Sequence, residues 1–195
     1  MADFKQSETC LNLMRSFAGE SQAHMRYSFY EKRANQEKLH EIGAIFKETA
    51  ENEMAHAHIF FKLLERHIGT SSVPVNAEYP VELGNTLENL KAAASGEHDE
   101  HTNVYPKFAD IARKEGYPDV AHHFDMIAKI EHEHEQRFNH FAKELEDQTL
   151  FKKDKDVYYK CIHCGHVHEG TDAPEVCPNC LHPQGYFKVV AAPWQ

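Results

Sequence analysis

The chain has 195 residues, 41% of them apolar and 27% charged, enough for one mid-sized domain and one small one. A formal net charge of −10 disfavours nucleic acid as a partner, because phosphate contacts need clustered Lys and Arg. No apolar run approaches the length of a membrane span, and the N-terminus MADFKQSETC has neither a basic flank nor an apolar block, so we expect a cytoplasmic protein without a membrane partner.

From about Phe4 to Lys38 the pattern is helical. Leu13, Phe17, Glu20, His24 and Tyr27 step by four and three, the spacing of one inward seam on a bundle helix. A second helix, about Leu39 to His67 with Gly69 as its stop, has the seam Ile42, Phe46, Thr49, Glu53, His56, Phe60, Leu63. Residues 70–85 contain two prolines and no helical period. Such a long connection suits a crossover between parallel neighbours, as in ferritin-type bundles. A third helix, about Thr86 to Lys114, has the seam Leu90, Ala94, Glu97, His101, Val104, Phe108, Ile111. Gly116 ends it. Pro118 suits the first turn of a fourth helix running to about Asp147, with the seam Val120, Phe124, Ile127, Glu131, His134, Phe138, Phe141, Leu145.

The two helix pairs are an imperfect internal repeat. AGE at Ala18–Glu20 answers SGE at Ser95–Glu97, and Glu53-x-x-His56 answers Glu131-x-x-His134. Glu53 follows Glu20 by 33 residues (53 − 20), whereas Glu131 follows Glu97 by 34 (131 − 97). Glu100, one turn after Glu97, has Ala23 as its counterpart, so the second half carries an extra carboxylate.

Glu20, Glu53, His56, Glu97, Glu131 and His134 thus occupy the middle of four otherwise apolar seams. Burying an unpartnered carboxylate costs several kcal/mol, and no Lys or Arg lies on these seams. The set therefore asks for cations. One Glu from each of two helices and Glu-x-x-His from each of the others is the donor set of dinuclear carboxylate bundles, and iron and manganese both fit it. Of the remaining histidines, His24 and His101 are expected to pack near the site, while His98, His122, His123 and His132 point elsewhere. Tyr27 and Tyr105 lie two turns beyond Glu20 and Glu97, within reach of the site or of plain core packing.

Residues 148–156 lose the helical pattern and read as a linker. The tail beyond has Tyr158, Tyr159, Phe187 and Trp194 but is too short for a core of its own. Cys161-x-x-Cys164 and Cys177-x-x-Cys180 give it four thiolates for one tetrahedral ion, zinc or iron. Cys10 stands alone and is assigned no role.

These residues together resemble the rubrerythrin family. The likeness rests on AGES at Ala18–Ser21, ENEMAH at Glu51–His56, SGEHDEH at Ser95–His101, EHEHEQRF at Glu131–Phe138 and the CIHCGHVHEG…CPNC tail. It implies a mainly α fold: a ferritin-like di-iron four-helix bundle with a long crossover over residues 1–147, a linker over 148–156, and a small rubredoxin-like metal-bound β/loop domain over 157–195. It also implies one iron held by Glu20, Glu53 and Glu100 and another by Glu97, Glu131 and His134, with Glu53 and Glu131 bridging. His56 would exchange with Glu100 on reduction, and Tyr27 and Tyr105 match tyrosines near the site. Cys161, Cys164, Cys177 and Cys180 match the ligands of a single iron, with zinc as the other candidate. The implied activity is a non-haem di-iron peroxidase that reduces hydrogen peroxide to water in oxidative stress defence. Its electrons would come from rubredoxin or an NAD(P)H-dependent reductase through the tail iron, within a head-to-tail homodimer. The competing expectation is a ferroxidase that handles iron with the same bundle.

Overall fold

The computed structural model describes residues 3–192; Trp194 of the aromatic set lies outside them. A 3₁₀ turn, Phe4–Gln6, leads into α1 (Glu8–Gln36), α2 (His40–Ile68), α3 (Thr86–Asp99), a π-helical turn (Glu100–Val104), α4 (Tyr105–Glu115) and α5 (Pro118–Glu146). Three strands follow: β1 (Lys152–Cys161), β2 (Val167–Asp172) and β3 (Phe187–Val190). No described helix is long and apolar enough to cross a membrane.

Local chemistry explains the helix ends. Ser7 caps α1 by accepting from Cys10 N, and the Glu115 carboxylate accepts from the backbone N–H groups of Glu8 and Thr9. Asn85 and Glu88 form a reciprocal capping box at α3. Gly116, at φ 89°, closes α4 in the left-handed conformation, and Pro118 opens α5.

The inward seams of α2 and α5 are buried as the spacing predicts, Leu145 alone being half-buried. On α1 the buried stripe is Leu13, Ser16, Glu20, Ala23, Tyr27 and Tyr30, while Phe17 and His24 are half-buried. Small Ser16 and Ala23 let the neighbouring helices approach, and the larger side chains are turned to the flank. The expected third helix differs most. It is interrupted by the π turn, which takes one more residue per turn than an α-helix and moves the inward stripe along by one. Tyr105, Ala109 and Ala112 are buried, whereas Val104, Phe108 and Ile111, expected on the seam, are half-buried.

Two apolar clusters fill the bundle. One holds Tyr27, Tyr30, Phe46, Leu90 and Phe138; the other holds Leu13, Phe60, Tyr105, Phe124 and Ile127. Between them lies a polar layer. The crossover runs along α1, where Tyr79 donates to Arg15 O at 2.7 Å and Tyr30 donates to Glu82 O at 3.0 Å.

The expected linker is irregular only as far as Phe151, since Lys152 already pairs with Asp172 before a register shift in β1. The antiparallel sheet has the order β2-β1-β3 around Tyr159, Cys161, Cys177 and Phe187. This tail docks on the α1–α2 turn. Tyr186 packs on His40 with ring centroids 4.0 Å apart, and a Cβ at Gly185 would fall 1.8 Å from Lys38 O.

Candidate metal centres

Midway along the bundle the four glutamates and two histidines meet. Their atoms form two overlapping groups: Glu20, Glu53, His56 and Glu131, and Glu53, Glu97, Glu131 and His134, each with one donor atom per residue within 4.8 Å of the others. Glu53 and Glu131 belong to both. His56 Nδ1 lies 2.9 Å from Glu53 and 3.0 Å from Glu131; His134 Nδ1 lies 2.8 Å from Glu131 and 3.2 Å from Glu53. Because Glu53 faces His134 and His56 faces Glu131, α2 and α5 run antiparallel and their Glu-x-x-His pairs are related by a local two-fold axis.

The tyrosines obey the same symmetry. Tyr27 on α1 donates to Glu97 Oε1 on α3, and Tyr105 on α4 donates to Glu20 Oε1 on α1. Each carboxylate is thus oriented by the opposite helix. Glu100 is half-buried on the π turn, at the edge of a cavity of about 900 Å³ that Gly19, Arg26, Tyr79 and Tyr105 also line.

Three residues beside the site were not foreseen. Asn52 Oδ1 lies 3.3 Å from His134 Nε2 and turns Nδ1 inward. Arg26, next to the seam, is only 8% exposed and stacks on Tyr27 at 5.5 Å. Arg137 reaches across from α5 to donate to Thr49 Oγ1 on α2. None follows helical periodicity, so no pattern in the chain announces them. His24 packs against α2, its Nδ1 2.7 Å from Ala50 O. His101, expected on the seam, is instead turned outward to Glu135 by the π turn.

Electrostatics shows what the layer demands. Burial pushes Glu20 well above the usual carboxylate range, with Glu100, Glu53 and Glu131 adding repulsion. Burial and the neighbouring Glu53 push Glu97 up to about 8. Burial works against a charge on His134, yet Glu131, Glu53 and Glu97 override it and push it up to about 12. His56 is pushed up to about 9 in the same way by Glu131 and Glu53. Burial would also raise Glu53, but His134 and His56 outweigh it and hold it at about 2. Protons on the ring nitrogens and carboxyls supply the positive charge that these donors require.

Even so, Glu20 Oε2, Glu53 Oε1, Glu97 Oε2, both Glu131 oxygens and His134 Nδ1 are buried without an aligned hydrogen-bond donor or acceptor. With His56, these residues make up the two overlapping donor groups. Hard carboxylate oxygens with one imidazole per group fit two adjacent divalent transition-metal ions, the shared carboxylates offsetting the ions' mutual repulsion.

In the tail, Cys161 Sγ lies 3.7 Å from Cys180 Sγ and Cys164 Sγ lies 3.6 Å from Cys177 Sγ. A tetrahedron with metal–sulfur bonds of ~2.3 Å has edges of about 3.8 Å, so four thiolates are set for one ion. Each pair sits on a turn whose backbone wraps the site: Gly165 N donates to Cys161 O, and Leu181 N donates to Cys177 O. Gly165 and Leu181 both have φ near the left-handed region, at 80° and 61°. The Asn179 side chain and the His166 backbone N–H hold Cys164 down to about 6, close to ready as a thiolate.

The rubrerythrin family model matches residues 12–142, and the model for the rubredoxin-like domain of rubrerythrin matches residues 159–188. The chain is 52% identical to rubrerythrin of Clostridium perfringens, the alignment covering 97% of each, and 48% identical to rubrerythrin-1 of Clostridium acetobutylicum, covering 98% of each. Among solved structures it resembles nigerythrin in a partially reduced state, with a TM-score of 0.65 and 27% identity over 95% of this chain and 90% of that one.

Proposed function

The chain belongs to the rubrerythrin family, and on that premise we propose that it is a non-haem di-iron peroxidase that reduces hydrogen peroxide to water. The observation that carries this reading is one chain holding both a dinuclear carboxylate–histidine cluster and a four-thiol site. A store for iron has no need of the second.

Irons bound in the bundle would supply two electrons and Lewis acidity to the O–O bond. Glu53 and Glu131, which belong to both donor groups, would serve both metal positions, Glu20 and His56 would complete one, and Glu97 and His134 the other. Glu100 lies outside both donor groups, close enough to Glu20 to raise its pKa by repulsion, and would be the carboxylate that exchanges with His56 on reduction. Tyr27 and Tyr105 keep their protons, since burial and the carboxylates beside them push both well above 10, and each donates that proton to steady a ligand oxygen. The apolar clusters on either side exclude bulk water, and the cavity beside Glu100 admits a small polar oxidant.

Cys161, Cys164, Cys177 and Cys180 would hold an iron able to carry one electron at a time, supplied by rubredoxin or an NAD(P)H-dependent reductase. The tail docks at the start of α2, and thirteen residues separate His40 from Glu53, about 20 Å along a helix. That length favours a head-to-tail homodimer in which one subunit's tail serves its partner's bundle. The setting is the cytoplasm, in oxidative stress defence.

The test is anaerobic stopped-flow absorbance of fully reduced, iron-loaded protein mixed with hydrogen peroxide and, separately, with dioxygen. Fast appearance of the ferric-thiolate colour with peroxide, and slower with dioxygen, supports the peroxidase. Fast reaction with dioxygen alone favours the ferroxidase.

A further inference from the structure

Outside the dinuclear site, a second set of metal-type donors gathers on the outer face of α3 and α5. His101 Nε2 lies 2.6 Å from Glu135 Oε2, and His98 Nδ1 lies 3.0 Å from Glu135 Oε1. His132 Nδ1 is 3.4 Å from His101 Nε2 and 3.6 Å from Glu135 Oε2. His98, His101 and Glu135 each present a donor atom within 4.8 Å of the other two.

The placement follows from the helices. His98, His101, His132 and Glu135 directly follow Glu97, Glu100, Glu131 and His134 in the chain. One residue turns a helical side chain by about 100°, so the inner cluster is repeated on the adjacent face. The π turn is essential here, because it swings His101 out of the inward stripe and over Glu135.

An ion-pair network is the simpler account, but it sets three imidazoles against a single half-buried carboxylate. Two ring nitrogens 3.4 Å apart also compete for one proton. A tetrahedral ion with bonds of about 2.0–2.1 Å spaces its ligands by about 3.3–3.4 Å. His98, His101 and Glu135 already lie within 4.8 Å of one another, and His132, 3.4 Å from His101, is the side chain that must turn to close the fourth corner. Imidazole as the majority donor selects transition metals over magnesium or calcium.

We propose that His98, His101, His132 and Glu135 form a separate mononuclear site for a zinc-class divalent ion. The bound ion clamps the π turn to α5, beside the dinuclear centre but outside it.

Full-length protein with its iron sites filled is mixed with zinc sulfate, passed through gel filtration and assayed for both metals. Crystals are then measured at the zinc absorption edge. The proposal expects about one zinc per chain beyond an unchanged iron content, with the anomalous peak between these four residues. Two variants separate loss of ligands from loss of fold: the double variant His98→Gln/His132→Gln, whose side chains are both more than half exposed, and Glu135→Gln. Each should weaken zinc retention at least about tenfold with iron unchanged. No extra zinc, zinc gained only as iron is lost, a peak elsewhere, or full retention in both variants would each overturn it.

Discussion

The two helix pairs carry the same ligand pattern on different backbones. In the first half, α1 runs unbroken from Glu8 to Gln36, and Tyr27 follows Glu20 by seven residues, two regular turns. In the second half Tyr105 follows Glu97 by eight, and a π turn absorbs the additional residue so that both tyrosines reach across to the opposite glutamate. The second Glu-to-Glu spacing is longer too, 34 against 33. The π turn also gives Glu100 a half-buried place at the cavity edge, where its counterpart Ala23 is packed at 3% exposure. An insertion in one repeat has thus made room for a carboxylate in place of an alanine without disturbing the symmetric core.

The strongest test of the shared centre is Glu131→Ala. Both donor groups lose a member, so metal analysis should find both bundle irons gone and the tail iron retained. Glu20→Ala touches one group only and should spare the other position.

Deleting exposed Asn103 is the direct way to erase the difference between the halves. The helix should then run through regularly, with Tyr105 still on Glu20 and circular dichroism near native. Glu100 would be forced into the tight spacing of Ala23, and peroxide turnover should fall at least about tenfold. Unchanged turnover would show that the π turn serves packing alone.

Titration distinguishes the donors from ordinary core residues. In metal-free protein Glu97 is raised from 4.5 to about 8, which costs stability as pH rises between those values. His56 is raised from 6.5 to about 9, so its contribution is full below 6.5 and is lost as pH climbs through 9. Glu53, lowered to about 2, contributes above 4.5 and fails only in acid. The metal-free melting temperature should therefore fall, by on the order of 10 °C, from pH 6 to pH 9. Metal affinity should rise over the same range, because the ions displace those protons.

Tyr27→Phe and Tyr105→Phe form the mildest and sharpest pair. Each removes one hydrogen bond to a buried carboxylate, and each should cost about 1–3 kcal/mol in chemical denaturation. Equal costs uphold the two-fold relation; a large inequality means that the π turn has broken it.

Much of this was legible in the chain. The seams of α2 and α5 carry Glu53, His56, Glu131 and His134 among Phe, Ile and Leu, and a three–four period needs no tertiary knowledge. Cys161, Cys164, Cys177 and Cys180 announce themselves by spacing. The third helix misled because Leu90 to Ile111 keeps a good α period straight through residues 100–104. A π turn leaves no compositional mark, so periodicity alone runs the seam onto His101 and Val104 instead of Tyr105. Asn52 and Arg137 escape it for a related reason, since their partners lie on other helices, and Arg26 escapes it because it sits one residue off the seam.

By itself the sequence determined four amphipathic helices, the ligand types at their centres, a crossover and a thiolate tail, since each depends on neighbours within a few turns. The tertiary structure alone decided how those elements face one another. It set Tyr27 on Glu97 and Tyr105 on Glu20, gave Glu53 and Glu131 to both donor groups, docked the tail on the α1–α2 turn and assembled three histidines around Glu135. Each is a contact between residues distant in the chain, selected by packing and by the satisfaction of buried charge, which no local pattern records.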